Sequence, residues 1–128
     1  MKDVIATPNA PQAIGPYAQA RRFGDCLFAS GQIAIDPQTG ALVSGGIDKQ
    51  AVQVMENIRQ VLLAGEMDFD DVLKTTVFIT NMADFGTVNE VYGRYFSTRL
   101  PARSCVEVAN LPKGALVEIE VIAASQRK

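Results

Sequence analysis

The last β-rich segment of the chain is apolar on both sides, and this limits the folds that the sequence can adopt. Within Leu116–Ala124, Val117 and Ile119 share one side. Leu116 and Ile122 share the other. Because successive residues of a strand point to opposite faces of its sheet, a sheet that contains this strand needs cover on both faces.

Two segments with helical periodicity can cover one of those faces. Apolar residues recur at intervals of three and four in Asp48–Ala64, with Asp48 as a suitable N-cap and Gly65 as a stop. Asp84–Thr98 is the second segment, with Asp84 as its expected cap. Its apolar stripe consists of Phe85, Val88, Tyr92, Tyr95 and Phe96. Two helices cannot also bury the opposite face, so we expect that face to pack against other copies of the chain.

The remaining β-rich segments predict an order of ββαβαββ. The turn Gly24-Asp25 joins the first two strands as a hairpin. A chain of 128 residues is expected to form a single domain, 1–128, of the α+β class, with one sheet and both helices on one face. The predicted strands are Tyr17–Phe23, Cys26–Ser30, Val72–Thr80, Arg103–Val108 and Leu116–Ala124.

Composition and charge exclude several classes of function. The net charge is −2 and no run of Lys or Arg exceeds two residues, which argues against nucleic-acid binding, because that binding depends on neutralising phosphates. The N-terminus lacks the apolar stretch of a signal peptide, and no apolar run approaches the length of a membrane span, so we expect a cytoplasmic protein. Cys26 and Cys105 lie far apart in sequence and are expected to be free thiols.

The chain has no histidine. This excludes Ser-His-Asp and Cys-His catalysis, the imidazole base and most catalytic zinc sites. Chemistry on this chain must use carboxylates, hydroxyls, arginine, backbone groups and water.

Charged residues occur on two of the predicted strands. Arg103, Cys105 and Glu107 share one face of their strand, and Glu118 and Glu120 share one face of theirs. A solvated surface is the commoner origin of such a pattern. However, these charges lie among apolar residues, and a charge on a partly buried face needs a partner or a ligand.

Other polar residues fit either structure or function. Asn89 borders the apolar stripe of the second helix, where an Asn more often satisfies a backbone group. Tyr17 can pack in the core or an interface with its hydroxyl in water. Ser30-Gly31-Gln32 ends a strand, where a glycine permits close approach by a ligand or simply forms a turn. Cys105 has no evident activating neighbour, so a nucleophilic role is weakly supported.

Taken together, these segments resemble the reactive-intermediate-deaminase family (the Rid or YjgF-type family) over essentially the whole chain. The block around Arg103 carries the resemblance most strongly, and the main departure is the loop 43–47. The matching segments are 10–17, Ser30-Gly31-Gln32-Ile33, Thr76-Val77-Phe78-Ile79 with Asp84-Phe85, Pro101-Ala102-Arg103-Ser104-Cys105-Val106-Glu107-Val108, Leu111-Pro112-Lys113 and Glu118-Ile119-Glu120.

The resemblance implies a chorismate-mutase-like fold with a single mixed sheet, assembled as a homotrimer with sites between subunits. It implies hydrolysis of 2-iminobutanoate and 2-iminopropanoate, the products of pyridoxal-phosphate-dependent serine or threonine dehydratases, with no cofactor or metal of its own. Arg103 would bind the substrate carboxylate, and a water held by Glu118 and by backbone groups near Cys105 would attack. Glu120 also matches the pattern but ranks below Glu118. The other implied substrate-binding residues are Tyr17, Ser30, Gly31 and Asn89.

Two other functions remain open. One is an RNA-acting translation inhibitor, which the missing histidine and missing basic patch disfavour. The other is a ligand-binding or chaperone-like trimer that uses the same cleft without turnover. Release of ammonium from an imine generated in situ would separate the enzyme from both, but the preferred imino acid and the dehydratase that supplies it cannot be read from the residues.

Overall fold

The computed structural model describes residues 3–125, in which six strands and two helices form one layer of sheet and one layer of helix. The sheet has the order β1-β2-β3-β6-β4-β5, with β4 and β5 parallel and all other neighbours antiparallel. This confirms the predicted α+β class with a single mixed sheet. The elements are β1 (Val4–Ile5), β2 (Ala20–Phe23), β3 (Cys26–Ala29), α1 (Ile47–Ala64), β4 (Val72–Ile79), α2 (Phe85–Tyr95), β5 (Ala102–Glu107) and β6 (Val117–Ala124).

Both helices cover the same face of the sheet, which we call the core face. Thr75, Val77 and Ile79 of β4 are fully buried there. The predicted stripe of α1 is also buried, which confirms the helical periodicity found in the sequence. The core-facing residues of β6 are Val117, Ile119, Val121 and Ala123, and the buried apolar residues of α1 are Ala51, Val54, Met55, Ile58, Val61 and Leu62.

The opposite face, which we call the open face, has no helix over it. Phe28 of β3, Ile122 of β6 and Val106 of β5 lie on it and are 47%, 37% and 42% exposed. Large apolar side chains on an uncovered sheet face are typical of a surface that packs against a partner.

Several element boundaries differ from the prediction. The strand expected from Tyr17 begins at Ala20, because Tyr17 N donates to Gly15 O and the chain turns there instead of pairing. Helix α2 ends at Tyr95 instead of Thr98, and the next residue, Phe96, is buried against the rings of Phe69 and Tyr92. The other strand ends move by one residue, and the two-residue strand β1 was not predicted.

The start of α1 also differs from the prediction. The N-cap is Gly46 with φ 90°, and Asp48 lies in the first turn without a capping hydrogen bond. Gly46 and the preceding Gly45, with φ 112°, adopt backbone conformations that favour glycine. The predicted stop at Gly65 is confirmed, since Gly65 is the C-cap. In the described range no helix is long and apolar enough to cross a membrane.

Candidate functional site

The residues singled out from the sequence fall into two separate groups. Tyr17, Ser30, Gly31 and Glu118 line a depression of about 500 Å³, which we call the Glu118 pocket. Asn89, Arg103 and Cys105 lie elsewhere, where α2 meets the edge strand β5. We call the group formed by Arg103, Asn89, Phe85 and Tyr92 the Arg103 platform.

The two groups lie on opposite faces of the sheet. In the parallel pairing of β4 and β5, Arg103 is opposite Thr75, which is on the core face. In the antiparallel pairing of β4 and β6, Glu118 is opposite Phe78, three positions along β4 and therefore on the open face. The expectation that Arg103, Cys105 and Glu107 share a face is confirmed by the register, as is the shared face of Glu118 and Glu120.

The Glu118 pocket has walls from three parts of the chain. The N-terminal wall is held by the buried Gln19, whose amide nitrogen donates to Thr7 O at 3.1 Å and to Pro11 O at 2.7 Å. The same amide's oxygen accepts from Thr7 N at 2.7 Å. Because a buried amide with this many partners resists displacement, the wall is fixed before any ligand arrives. The pocket is lined by Pro11, Gln12, Ile14, Tyr17, Gln19, Ser30, Gly31, Gln32, Ile33, Ile35, Pro112, Glu118 and Glu120.

Gly31 makes room for the carboxylate of Glu118. A Cβ atom at position 31 would overlap Oε2 of Glu118 and lie 2.8 Å from its Cδ. Gln32 and Ile119 exchange backbone hydrogen bonds of 2.9 and 3.1 Å, which fixes Gly31 beside β6. A side chain at position 31 would therefore displace the Glu118 carboxylate. The close approach at this glycine is made by a side chain of the same chain, whereas the sequence suggested approach by a ligand.

Glu118 is a half-buried acid without a cationic partner in the part of the chain that the structure describes. Burial raises the pKa of Glu118, and the nearby charge of Glu120 raises it further. A carboxyl group of this kind can take up and release a proton nearer neutral pH than an exposed glutamate can.

The two hydroxyls of the pocket differ in their freedom. Ser30 Oγ donates to Ala18 O at 2.7 Å, so this hydroxyl is already committed to the backbone. The hydroxyl of Tyr17 accepts a long hydrogen bond of 3.4 Å from Ile14 N, and the residue is 49% exposed. Tyr17 is thus free to turn its hydroxyl toward a ligand, whereas Ser30 offers mainly its oxygen lone pairs.

The guanidinium of Arg103 is exposed but held on three sides. Its Nη1 donates to Asn89 Oδ1 at 2.6 Å, and its Cζ lies 4.9 Å from the ring centroid of Tyr92 and 5.5 Å from that of Phe85. Within residues 3–125, no carboxylate pairs with it. Asn89 therefore binds a side chain, whereas an Asn at the margin of a helix's apolar stripe more often binds a backbone group. An oriented cation with free donors is suited to binding a carboxylate.

Cys105 lies two residues from Arg103 on the same strand face. Its thiol is half-buried, and burial raises its pKa more than the charge of Arg103 lowers it. The protonated thiol is a poor nucleophile, in agreement with the weak support that the sequence gave to that role.

Sequence reasoning missed several residues that build the site. Gln19 lies within the predicted strand Tyr17–Phe23, and only its burial and its hydrogen bonds in the fold reveal that it holds the pocket wall. Gln32 was noted at the end of a strand, but its burial was not predicted. Phe85 and Tyr92 were predicted as parts of the apolar stripe of the second helix, but they also contact the guanidinium. Among the described Cys, Asp and Glu side chains, no cluster of three is arranged to hold a metal ion.

Known proteins match this chain over nearly its whole length. The sequence pattern of the endoribonuclease L-PSP family matches residues 7–125. The chain is 53% identical over 123 residues to a RutC family protein of Pyrococcus horikoshii, covering 96% of this chain and 98% of that one. It is 49% identical over 123 residues to the 2-iminobutanoate/2-iminopropanoate deaminase of Mus musculus, covering 96% of this chain and 91% of the mouse protein.

The fold also matches a solved structure that holds a small ligand. The crystal structure of E. coli TdcF with bound serine superimposes with a TM-score of 0.93 at 44% sequence identity, covering 98% of this chain and 100% of that one. Sequence and fold therefore agree on the same group of proteins.

Proposed function

Because this chain belongs to the endoribonuclease L-PSP family, which includes the Rid proteins, we propose that it hydrolyses small 2-imino acids to 2-oxo acids and ammonium. The proposed substrates are 2-iminobutanoate and 2-iminopropanoate, the substrates after which the mouse relative is named. We propose that pyridoxal-phosphate-dependent serine or threonine dehydratases release these imines, and that the chain acts on them in the cytoplasm.

The observation that carries the proposal is the Arg103 platform. A guanidinium that is oriented by Asn89 and two rings, without a carboxylate partner among residues 3–125, is available to a carboxylate from outside the chain. Two parallel N–H···O bonds would fix the carboxylate and, with it, the adjacent imine carbon. The carboxylate is the only group of a small imino acid that can form a strong charged contact with the protein.

The opposite faces of Arg103 and Glu118 favour a site between subunits. One copy of the chain cannot direct both side chains at the same small ligand, because the sheet lies between them. Two copies can, if the Arg103 platform of one faces the Glu118 pocket of the next. We propose that the chain, as one domain, forms a homotrimer of this kind, in which the apolar open face is also covered.

In the proposed reaction, Arg103 binds the carboxylate and Glu118 positions a water molecule against the imine carbon. The water oxygen bonds to the carbon of the protonated imine while Glu118 accepts one proton of the water, and the C=N bond becomes a C–N bond. The carbinolamine then collapses: Glu118 returns its proton to the nitrogen and the C–N bond breaks. Ammonia leaves and takes up the proton that the hydroxyl releases as its oxygen becomes the carbonyl of the 2-oxo acid. One water is consumed for each ammonia released, so the reaction balances without redox change.

The remaining pocket residues have supporting parts in this scheme. Tyr17 can direct its hydroxyl at the leaving nitrogen, and Ser30 and Gly31 line the wall against which the substrate rests. Backbone groups of β5 near Cys105 would form further hydrogen bonds to the attacking water. Imine carbons are already electrophilic, so positioning can supply most of the barrier reduction.

RNA cleavage is the second candidate, because the family takes its name from an endoribonuclease. The net charge of −2 and the absence of histidine both disfavour it. A binding protein without turnover is the third candidate. It would use the same two half-sites.

The test is imine hydrolysis measured in competition with a trap. A dehydratase generates the imine from threonine, semicarbazide traps part of it, and the purified protein competes for the rest. We expect the protein to lower the yield of trapped imine and to speed the release of ammonium and 2-oxobutanoate. Arg103→Ala should remove this effect. Its matched control is Arg94→Ala, which also removes an exposed arginine, but one that is paired with Glu90 on α2. If wild type is no faster than the reaction without protein, the enzymatic proposal fails, and 2-oxobutanoate binding would then favour the binding protein.

A further inference from the structure

A buried hydrogen bond lies directly behind the Arg103 platform. The hydroxyls of Thr75 and Tyr92 are 2.8 Å apart, and the two residues are 0% and 8% exposed. Thr75 is also the register partner of Arg103 across β4 and β5. The bond therefore ties α2 to the strand that lies next to the arginine, at the arginine's own level of the sheet.

The ring of Tyr92 is restrained on its other side as well. Phe96 packs against it with ring centroids 4.6 Å apart and the planes tilted by 45°. Burial raises the pKa of Tyr92, so its hydroxyl stays neutral and keeps its hydrogen for bonding. With one end bonded and one side packed, the ring has little freedom to rotate away from the guanidinium, which lies 4.9 Å from its centroid.

We propose that Tyr92, locked in place by Thr75, is a positioning residue that fixes the orientation of the Arg103 guanidinium for a carboxylate ligand. The identity of that ligand rests on the proposed function, but the orientation of the arginine does not. Asn89 holds one nitrogen of the guanidinium, and one hydrogen bond leaves rotation about that bond free. The Tyr92 ring supplies the plane that stops the rotation, so that the donors not used by Asn89 keep a fixed direction for a ligand.

Arg59 is a second arginine that lies over two aromatic rings, and it shows how such an arginine looks when a carboxylate of the chain pairs with it. Arg59 lies over the rings of Phe69 and Tyr95 at 5.3 and 5.5 Å, and the hydroxyl of Tyr95 donates to Glu56 at 2.8 Å. Arg59 is also paired with Glu56 at 3.3 Å, so its charge is satisfied within the chain. Arg103 has the same aromatic support without the carboxylate, among residues 3–125.

The variants remove one hydroxyl at a time. Thr75→Val deletes the hydroxyl and keeps the side chain's shape, Thr75→Ser keeps the hydroxyl, and Tyr92→Phe keeps the ring but not its bond. Tyr95→Phe is the matched control. Tyr95 lies on α2 like Tyr92, and its ring contacts Arg59 in place of Arg103. Two independent deletions of one bond keep the test usable if either variant folds poorly.

The first measurement is the mobility of the Arg103 side chain by ¹⁵N relaxation of its Nε, assigned by loss of the signal in Arg103→Lys. We expect a rigid Nε in wild type, Thr75→Ser and Tyr95→Phe, and a mobile one in Thr75→Val and Tyr92→Phe. An Arg103 Nε that stays as rigid in both hydroxyl deletions as in wild type overturns the proposal. This result does not depend on any reaction.

The second measurement is imine hydrolysis by the same variants. Loss of the locked ring should lower kcat/KM on the order of five-fold in Thr75→Val and in Tyr92→Phe, with no further loss when both are combined. Thr75→Ser should recover wild-type rates. A loss in Tyr95→Phe as large as that in Tyr92→Phe would mean that the Thr75–Tyr92 bond has only a general structural role, and it would overturn the proposal. If wild type itself does not hydrolyse imines, the proposed function fails while the relaxation result still decides the role of Tyr92.

Discussion

Arg103 and Glu118 carry opposite charges, and the fold treats the two side chains differently. Arg103 is exposed at a sheet edge, and rings and an amide around it hold its orientation. Glu118 is half-buried in a concave pocket, where Gly31 makes room for it and Glu120 lies nearby. The exposed cation is suited to recognition, because its free donors face solvent. The half-buried acid is suited to proton transfer, because its partial burial raises its pKa toward neutrality.

The comparison also shows how a site can be divided. Each half is fixed by its own hydrogen bonds, Gln19 behind the pocket and Thr75 behind the platform, so neither half needs the other to take shape. The two halves occupy opposite faces of the sheet. The proposed reaction, which uses both halves, therefore requires at least two copies of the chain. The following predictions separate the recognition half from the proton-transfer half.

The largest expected effect is that of Arg103→Ala. Losing one partner of a desolvated charge pair costs roughly 2–5 kcal/mol, so we expect kcat/KM to fall roughly 1000-fold. Arg103→Lys should recover little, because a point charge cannot reproduce the two parallel bonds. Imine hydrolysis and sedimentation together check this. A correctly assembled Arg103→Ala protein with near-wild-type rates would contradict the role of the recognition half.

Glu118→Gln should separate turnover from binding. The amide keeps the size of the side chain but cannot accept a proton from water, so we expect kcat to fall about 100-fold. The affinity for 2-oxobutanoate, measured by calorimetry, should change little, because Arg103 supplies most of the binding. Parallel losses in kcat and in affinity would make Glu118 a binding residue and remove the contrast between the halves.

Glu120→Gln should change the pH dependence of the reaction. Ionised Glu118 is the active form, so kcat/KM falls as the pH drops through the raised pKa of Glu118. Burial is the larger cause of that raised pKa and Glu120 the smaller, so removing the charge at 120 should move the acid limb to lower pH without abolishing activity. The profile of kcat/KM against pH measures this. An unmoved limb would mean that the limb reports another group.

The smallest expected effect is that of Cys105→Ala. Burial keeps its thiol protonated, so we expect turnover to change by less than about two-fold. Steady-state kinetics on the variant, with circular dichroism to check the fold, is sufficient. Complete loss of activity in a folded variant would require a covalent mechanism in place of water attack.

The predictability of the fold depended on how local each signal was. The stripe of α1 and the alternation in β6 are short-range patterns, and the structure confirms both. The two-residue strand β1 and the turn before Ala20 depend on pairing with distant segments and on the buried amide of Gln19, so no local pattern marks them. The end of α2 depends on the packing of Phe96 against two rings, which is also a tertiary effect.

The candidate site follows the same division. The family resemblance selected Arg103, Glu118 and Gly31 as candidates, and strand alternation correctly placed Arg103 on the same face as Cys105. The contact of Asn89 with Arg103 joins a helix to a strand 14 residues away, and the bond between Thr75 and Tyr92 spans 17 residues. Contacts of this kind depend on the angle between elements, which sequence periodicity does not contain.

The central claim is that one catalytic site takes Arg103 from one subunit and Glu118 from another, and subunit mixing tests it most directly. Arg103→Ala and Glu118→Gln, each of which we expect to be nearly inactive alone, are refolded together in equal amounts. In a cyclic trimer, every mixed assembly contains one interface with both native residues, so about a quarter of all sites, and about a quarter of wild-type activity, should return. The same proteins mixed after separate assembly should stay inactive. No recovery from refolded hybrid trimers would contradict the account, because it would mean that Arg103 and Glu118 do not meet across a subunit interface.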